Sequence, residues 1–233
     1  MNPFLATGLT FAAAIAWLRL MDFFAHRGWI ESRLSRKIIH IGTGPIYVLC
    51  WLMFPEVWYA RYLAMLVPLL ITVQFVLVGM GVVKDEASVK AMSRTGDRRE
   101  ILRGPLYYGI MFILLTIFFW TENPIGIVAL MMMCGGDGLA DVTGRRFNSA
   151  KLPHSPEKSV AGSLGVFFGG WVLSALVLWI YVLAGVFPAP FSAYLIPITI
   201  VAVVGTIVES LPFKDIDNIT VTLASVVVGW FVF

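Results

Sequence analysis

Eight apolar segments follow one another along this chain, and no polar stretch between them is long enough to fold alone. A helix needs about 20 apolar residues to cross a bilayer, range about 17–25. The segments cover residues 3–24, 38–54, 61–83, 105–120, 124–141, 161–187, 191–211 and 219–233. The expected fold is therefore all-α: a polytopic integral membrane bundle of seven or eight helices, making one domain over residues 1–233. The fourth and eighth segments are short enough to be re-entrant. Composition agrees, with 59% hydrophobic and 13% charged residues, against roughly 45–50% and about 25% in soluble domains. The first segment lacks a basic flank and a small-residue cleavage site, so it reads as a retained helix and not a signal peptide. Cys50 and Cys134 both fall in apolar segments and give neither a disulfide framework nor metal-ligand spacing.

The basic residues set the topology. Arg27, Arg33, Arg36 and Lys37 lie between segments one and two. Lys84, Lys90, Arg94, Arg98, Arg99 and Arg103 lie between three and four. Arg145, Arg146, Lys151 and Lys158 lie between five and six, and Lys214 between seven and eight. Of the 17 basic residues only Arg19 and Arg61 fall elsewhere. Loops rich in Lys and Arg stay on the cytoplasmic side. That places both termini outside and the four basic loops inside, as expected for a multi-pass protein of a prokaryotic cell membrane. The unusual polar residues at helix ends then share the cytoplasmic face: Lys37 and His40, Asp137 and Asp141, Glu209, and Asp217 with Asn218. One site there could gather them.

Residues 134–165, CGGDGLADVTGRRFNSAKLPHSPEKSVAGSLG, carry the strongest chemical signal. Asp137 and Asp141 stand four apart, on one face of a helix. Acids at a membrane edge are costly, which makes the pair a functional candidate. A pair capped by its own arginines, with Arg145 four residues beyond Asp141, is the plainer alternative. Acids facing a basic loop suit a metal-bound polyphosphate, the metal on the carboxylates and the cations on the phosphate oxygens. Lys158 follows Ser155-Pro156-Glu157 in what reads as a loop entering a helix, where backbone N–H groups favour anions. Taken without the aspartates, Lys158 fits ordinary charge at a membrane edge better.

Lys37 and His40, three apart, can face one ligand or simply anchor a helix. Glu209, set in apolar sequence, is a better site candidate than Asp215, which reads as solvated. His26 and His154 are isolated in polar loops. Gly162, Gly165 and Gly169 read as close helix packing. No GxxxxGK[ST] run is present, so a P-loop is not supported. Transport is disfavoured, because no internal repeat is evident and the acids cluster at one face.

These residues resemble a known family. Asp137-Gly138-Leu139-Ala140-Asp141-x-x-Gly144-Arg145-Arg146-Phe147, then Lys151-Leu152, then Ser155-Pro156-x-Lys158-Ser159-x-x-Gly162-Ser163 is similar to the CTP-dependent prenyl alcohol kinases, phytol and farnesol kinases above all and dolichol kinase more distantly. Arg36-Lys37-x-x-His40, Arg103-Gly104-Pro105-Leu106-Tyr107-Tyr108 and Glu209-Ser210-Leu211-Pro212 with Asp217-Asn218-Ile219-Thr220 extend the likeness over nearly the whole chain beyond the first segment. Phosphatidate cytidylyltransferases share part of the pattern, but their long C-terminal signature is missing here.

The resemblance implies a membrane-embedded kinase domain. Its reaction would transfer the γ-phosphate of CTP to the hydroxyl of a long-chain prenol such as phytol, geranylgeraniol or farnesol, releasing CDP. The alternative is cytidylyl transfer from CTP to a lipid phosphate. The implied catalytic residues are Asp137, Asp141, Lys158, Glu209 and His40. Phosphate contacts would come from Lys37, Arg145, Arg146, Lys151, Ser155, Lys158 and Ser159. Mg²⁺ would be held by Asp137, Asp141 and Glu209. Glu209, Asp141 and His40 are the candidates for general base. The implied partners are the bilayer, the prenol and CTP, with a homo-oligomer left open and no nucleic acid.

Overall fold

The computed structural model describes residues 1–93, 95–213 and 216–233; Arg94, Lys214 and Asp215 lie outside the described residues. Ten α-helices are found there: α1 Pro3–His26, α2 Ser32–Cys50, α3 Ala60–Met80, α4 Glu86–Met92, α5 Gly104–Phe119, α6 Ile125–Met131, α7 Gly138–Arg146, α8 Val160–Leu183, α9 Ser192–Ser210 and α10 Asp217–Val232. Six spans are long and apolar enough to cross a membrane: α1, α3, Arg98–Phe119, Ile125–Arg146, α8 and α9. The predicted second segment becomes α2, whose first turns carry Arg33, Arg36 and Lys37. The eighth becomes α10, 16 residues long. All-α character holds, with a small exception: Lys151–Leu152 (β1) pairs antiparallel with Ser155–Ser159 (β2), where the sequence reads as loop.

At the centre runs a broken helix. Every residue of α6 is buried, which fits a segment apolar on all sides. From Met132 to Asp137 the chain widens into a π-helix before α7 resumes. Such wide turns are frequent at functional sites. The glycines here serve approach: a Cβ on Gly135 would stand 2.5 Å from the Gly169 carbonyl oxygen of α8. A Cβ on Gly165 would stand 2.9 Å from the Leu139 carbonyl oxygen. The Gly162/Gly165/Gly169 stripe is thus a close-packing face, as its spacing predicts.

Large apolar side chains such as Phe4, Leu176, Trp179, Trp230 and Phe231 point outward. Exposed apolar surface on this scale belongs against lipid. Short connections alternate helix direction. The starts of α2, α5, α8 and α10 and the ends of α7 and α9 therefore meet at one end of the bundle. Both termini lie at the other, where Arg61 is paired with Glu122 and donates to the Ile117 carbonyl at 3.2 Å. Asp85 caps α4, and hydrogen bonds from Ser88 hold its carboxyl below the usual range.

Candidate functional site

Three groups of charged residues meet at the basic end, each built by a different set of elements. In the first, Lys37 and His40 share a face of α2 because they are three residues apart. Asp137 is delivered to them by the π-helix. Its Oδ2 lies 3.5 Å from Lys37 Nζ and 3.2 Å from His40 Nε2. His40 Nε2 is also 3.3 Å from the Met133 carbonyl oxygen. The imidazole packs on the Tyr108 ring at 4.4 Å. Tyr108 donates its hydroxyl hydrogen bond to the His40 carbonyl at 2.8 Å and lies 3.1 Å from Cys134 Sγ.

In the second group, Asp141 accepts from Arg145 Nε at 2.6 Å, with Arg33 Nε at 3.9 Å. Both arginines are half exposed, so these pairs contribute little stability, about 0–1 kcal/mol each. What they do is hold two guanidinium groups at the edge of the site.

The third group is the most enclosed. Lys158 Nζ lies 3.0 Å from Glu209 Oε1 and 3.6 Å from Asp217 Oδ2, and it also donates to the Glu209 carbonyl. Lys158 leaves β2, Glu209 ends α9 and Asp217 opens α10, so one ammonium ties three elements. The ladder aims it: β1 and β2 turn the chain back, and Ser159 then caps α8 by accepting from Gly162 N at 3.2 Å.

The groups surround one polar cavity of about 780 Å³. Lys37, Asp137, Asp141, Arg145, Lys151, Lys158, Ser159 and Glu209 line it, as the expectation of a single shared site requires. His40 lies just beyond, lining a smaller apolar cavity that adjoins the first. Two of the predicted phosphate contacts are not brought in: Arg146 is exposed, Ser155 is buried, and neither lines either cavity. Conversely, Glu100, Arg103, Glu157, Asp217 and Asn218 line the polar cavity without having been assigned a role. Asp217 and Asn218 carried a legible signal, since polar residues opening an apolar helix are costly. Tyr108 was marked only by the family resemblance, as an aromatic residue in an apolar run otherwise reads as core.

Among the described residues no three His, Cys, Asp or Glu side chains form a ready metal cluster. Asp137, Asp141 and Glu209 instead each face a cation of their own. The donor chemistry still suits a hard cation, because Mg²⁺ is typically held by one or two carboxylates with substrate phosphates and water completing its shell. Asp217 Oδ1 is buried without a hydrogen-bond partner among the described residues, so the cavity also offers an unused carboxylate oxygen.

Fold and cavity together define a polytopic membrane protein with a charge-lined site at one end of its bundle. Searches of protein-family models and of solved structures return no match. Curated relatives do match. A Triticum aestivum protein named "Probable phytol kinase, chloroplastic" is 41% identical over 98% of this chain and 77% of its own length. The Arabidopsis thaliana "Phytol kinase 1, chloroplastic" is 38% identical, covering 98% of this chain and 76% of the relative. The Arabidopsis thaliana "Farnesol kinase, chloroplastic" is 37% identical over 98% and 75%. This chain belongs to the family of phytol and farnesol kinases, the prenyl alcohol kinases. These relatives are chloroplastic plant proteins, which lends no support to the prokaryotic cell membrane expected from the sequence.

Proposed function

We propose that the protein is a CTP-dependent prenol kinase working at the cytoplasmic membrane face. The observation that carries this reading is the polar cavity itself, where Lys37, Arg145, Lys151 and Lys158 stand around Asp137 and Asp141 at the end of an apolar bundle. Phosphoryl transfer asks the protein mainly for positioning and charge neutralisation. The four cations would take the phosphate oxygens of the nucleotide, while the prenyl tail stays in apolar surroundings.

In the reaction the prenol oxygen bonds to the γ-phosphorus and the bond to the bridging oxygen breaks. CDP leaves with that electron pair. The hydroxyl proton passes to water or to a carboxylate of the cavity. Asp137 and Asp141 would hold Mg²⁺, with the free oxygen of Asp217 within the same cavity. A bound ion would offset the negative charge of the phosphate oxygens. Glu209 acts differently in this reading: its carboxylate fixes the Lys158 ammonium. The experiment is a product analysis of purified protein in detergent, with a panel of prenols and labelled nucleotides. Prenyl monophosphate and CDP are expected. Pyrophosphate and a CDP-lipid formed from a lipid phosphate would instead establish cytidylyl transfer.

A further inference from the structure

Next to the polar cavity lies an apolar one of about 190 Å³, enclosed by α1, α2, α3 and α5. Leu18, Ile71, Phe75 and Phe112 provide much of its wall. The two cavities share Lys37, Met92, Gly104, Pro105, Asp137 and Asn218, so a molecule placed across that wall has one end among charges and the other among hydrocarbon. We propose that the apolar cavity is the acceptor site, which takes the hydroxyl end of the lipid alcohol with its oxygen at the shared wall and its first one or two isoprene units between α1, α3 and α5. This rests on the kinase reading above.

The polar groups of the apolar cavity support the assignment because their hydrogen bonds are already committed. Thr43 Oγ1 donates to the Ile39 carbonyl at 2.7 Å and Thr72 Oγ1 to the Pro68 carbonyl at 2.6 Å. Arg36 donates to the Ser93 carbonyl at 2.6 Å, and the Tyr108 hydroxyl is turned to the His40 carbonyl. What remains toward the bundle interior is effectively hydrocarbon. At the shared wall the situation reverses. Asn218 Nδ2 donates to the Gly104 carbonyl at 3.2 Å, whereas Asn218 Oδ1 is sealed from solvent with no partner among the described residues. A buried acceptor without a donor is costly. An alcohol hydroxyl entering here would supply that donor.

Size limits what the cavity reads. A dry apolar cavity of about 150 Å³ accommodates benzene. The 190 Å³ here therefore suits one or two branched five-carbon units, not a whole long-chain prenol. Selection acts on the chain near the hydroxyl, and length is read outside the cavity.

The test fills the cavity. Ile71→Phe and Ala14→Phe add volume from α3 and α1, and KM is measured separately for nucleotide and for two alcohols, one of two isoprene units and one of four. Both alcohol KM values should rise about tenfold or more, the scale of about 1.4 kcal/mol of lost binding, with the nucleotide KM unchanged. An unchanged alcohol KM in both variants of an active enzyme overturns the acceptor site and leaves the kinase reading intact. A wild-type protein that phosphorylates no prenol breaks the kinase reading itself. Should both variants fail to fold, photolabelling of the wild type decides. A prenol with a diazirine in its first isoprene unit should label residues 68–75 or 105–112, and label confined to α8, α9 and α10 refutes the proposal.

Discussion

At the scale of single residues, the site is a set of charges held ready by one another. Asp137 is fixed by Lys37 and His40, and Asp141 by Arg145. If these two carboxylates hold the metal, Asp137→Asn and Asp141→Asn should each lower turnover about 100-fold or more, the scale of losing one strong electrostatic stabiliser. Unfolding temperatures should stay near wild type, since asparagine keeps the shape. Wild-type turnover in both variants would remove the metal assignment. Lys158 raises a sharper question, because it is both a phosphate candidate and the partner of a buried acid. Lys158→Ala should raise the nucleotide KM roughly 10–100-fold, the range of a charged hydrogen bond, and leave the prenol KM alone. It should also destabilise the fold by stranding Glu209, whose side chain is 10% exposed. Adding Glu209→Gln to Lys158→Ala should then restore thermal stability and not nucleotide affinity. Glu209→Gln alone should raise the nucleotide KM at an unchanged Mg²⁺ requirement. A raised Mg²⁺ requirement would make Glu209 a ligand after all.

At the scale of elements, much was legible because burial of charge is costly wherever it occurs. Asp137, Asp141 and Glu209 stand out in apolar text for that reason alone, whereas Lys158, in a polar loop, gains weight only beside the aspartates. Their pairing did not stand out, since Lys37–Asp137 and Lys158–Glu209 join residues far apart in sequence. Nor was the π-helix visible, although Gly135-Gly136 marked the spot. The wide turn and the close approach of α8 depend on each other, so the break should be sensitive to a single methyl. Gly135→Ala places a Cβ 2.5 Å from the Gly169 carbonyl oxygen, and backbone cannot step aside as a flexible side chain can. A loss of about 1–3 kcal/mol is expected from such overpacking, read as a lowered Tm with reduced activity. Gly8→Ala on α1, which meets nothing within 4 Å, is the matched control and should change neither. An unaltered Tm in Gly135→Ala would mean that the α8 contact is looser than the structure describes.

At the scale of the whole molecule, a single asymmetry organises everything else. One end of the bundle carries the polar cavity and the basic loops, and the other carries Arg61, neutralised by Glu122. Alternating helix directions turn that asymmetry into a shared site, because α2, α5, α7, α8, α9 and α10 each bring a residue to the cavity at the basic end. In the proposed reading the charge pattern puts the basic end in the cytoplasm, where the nucleotide would be dissolved, while the prenol would arrive through the bilayer. The orientation is testable once Cys50 and Cys134 are replaced. Asn148 lies exposed between α7 and β1, and Glu56 lies exposed between α2 and α3 at the opposite end. A cysteine at 148 should react with an impermeant maleimide only from the cytoplasmic side, and a cysteine at 56 only from the other. The reverse pattern would put the cavity on the face without nucleotide. A soluble CTP supply could not then reach Lys158, and the proposed chemistry would fail with the topology.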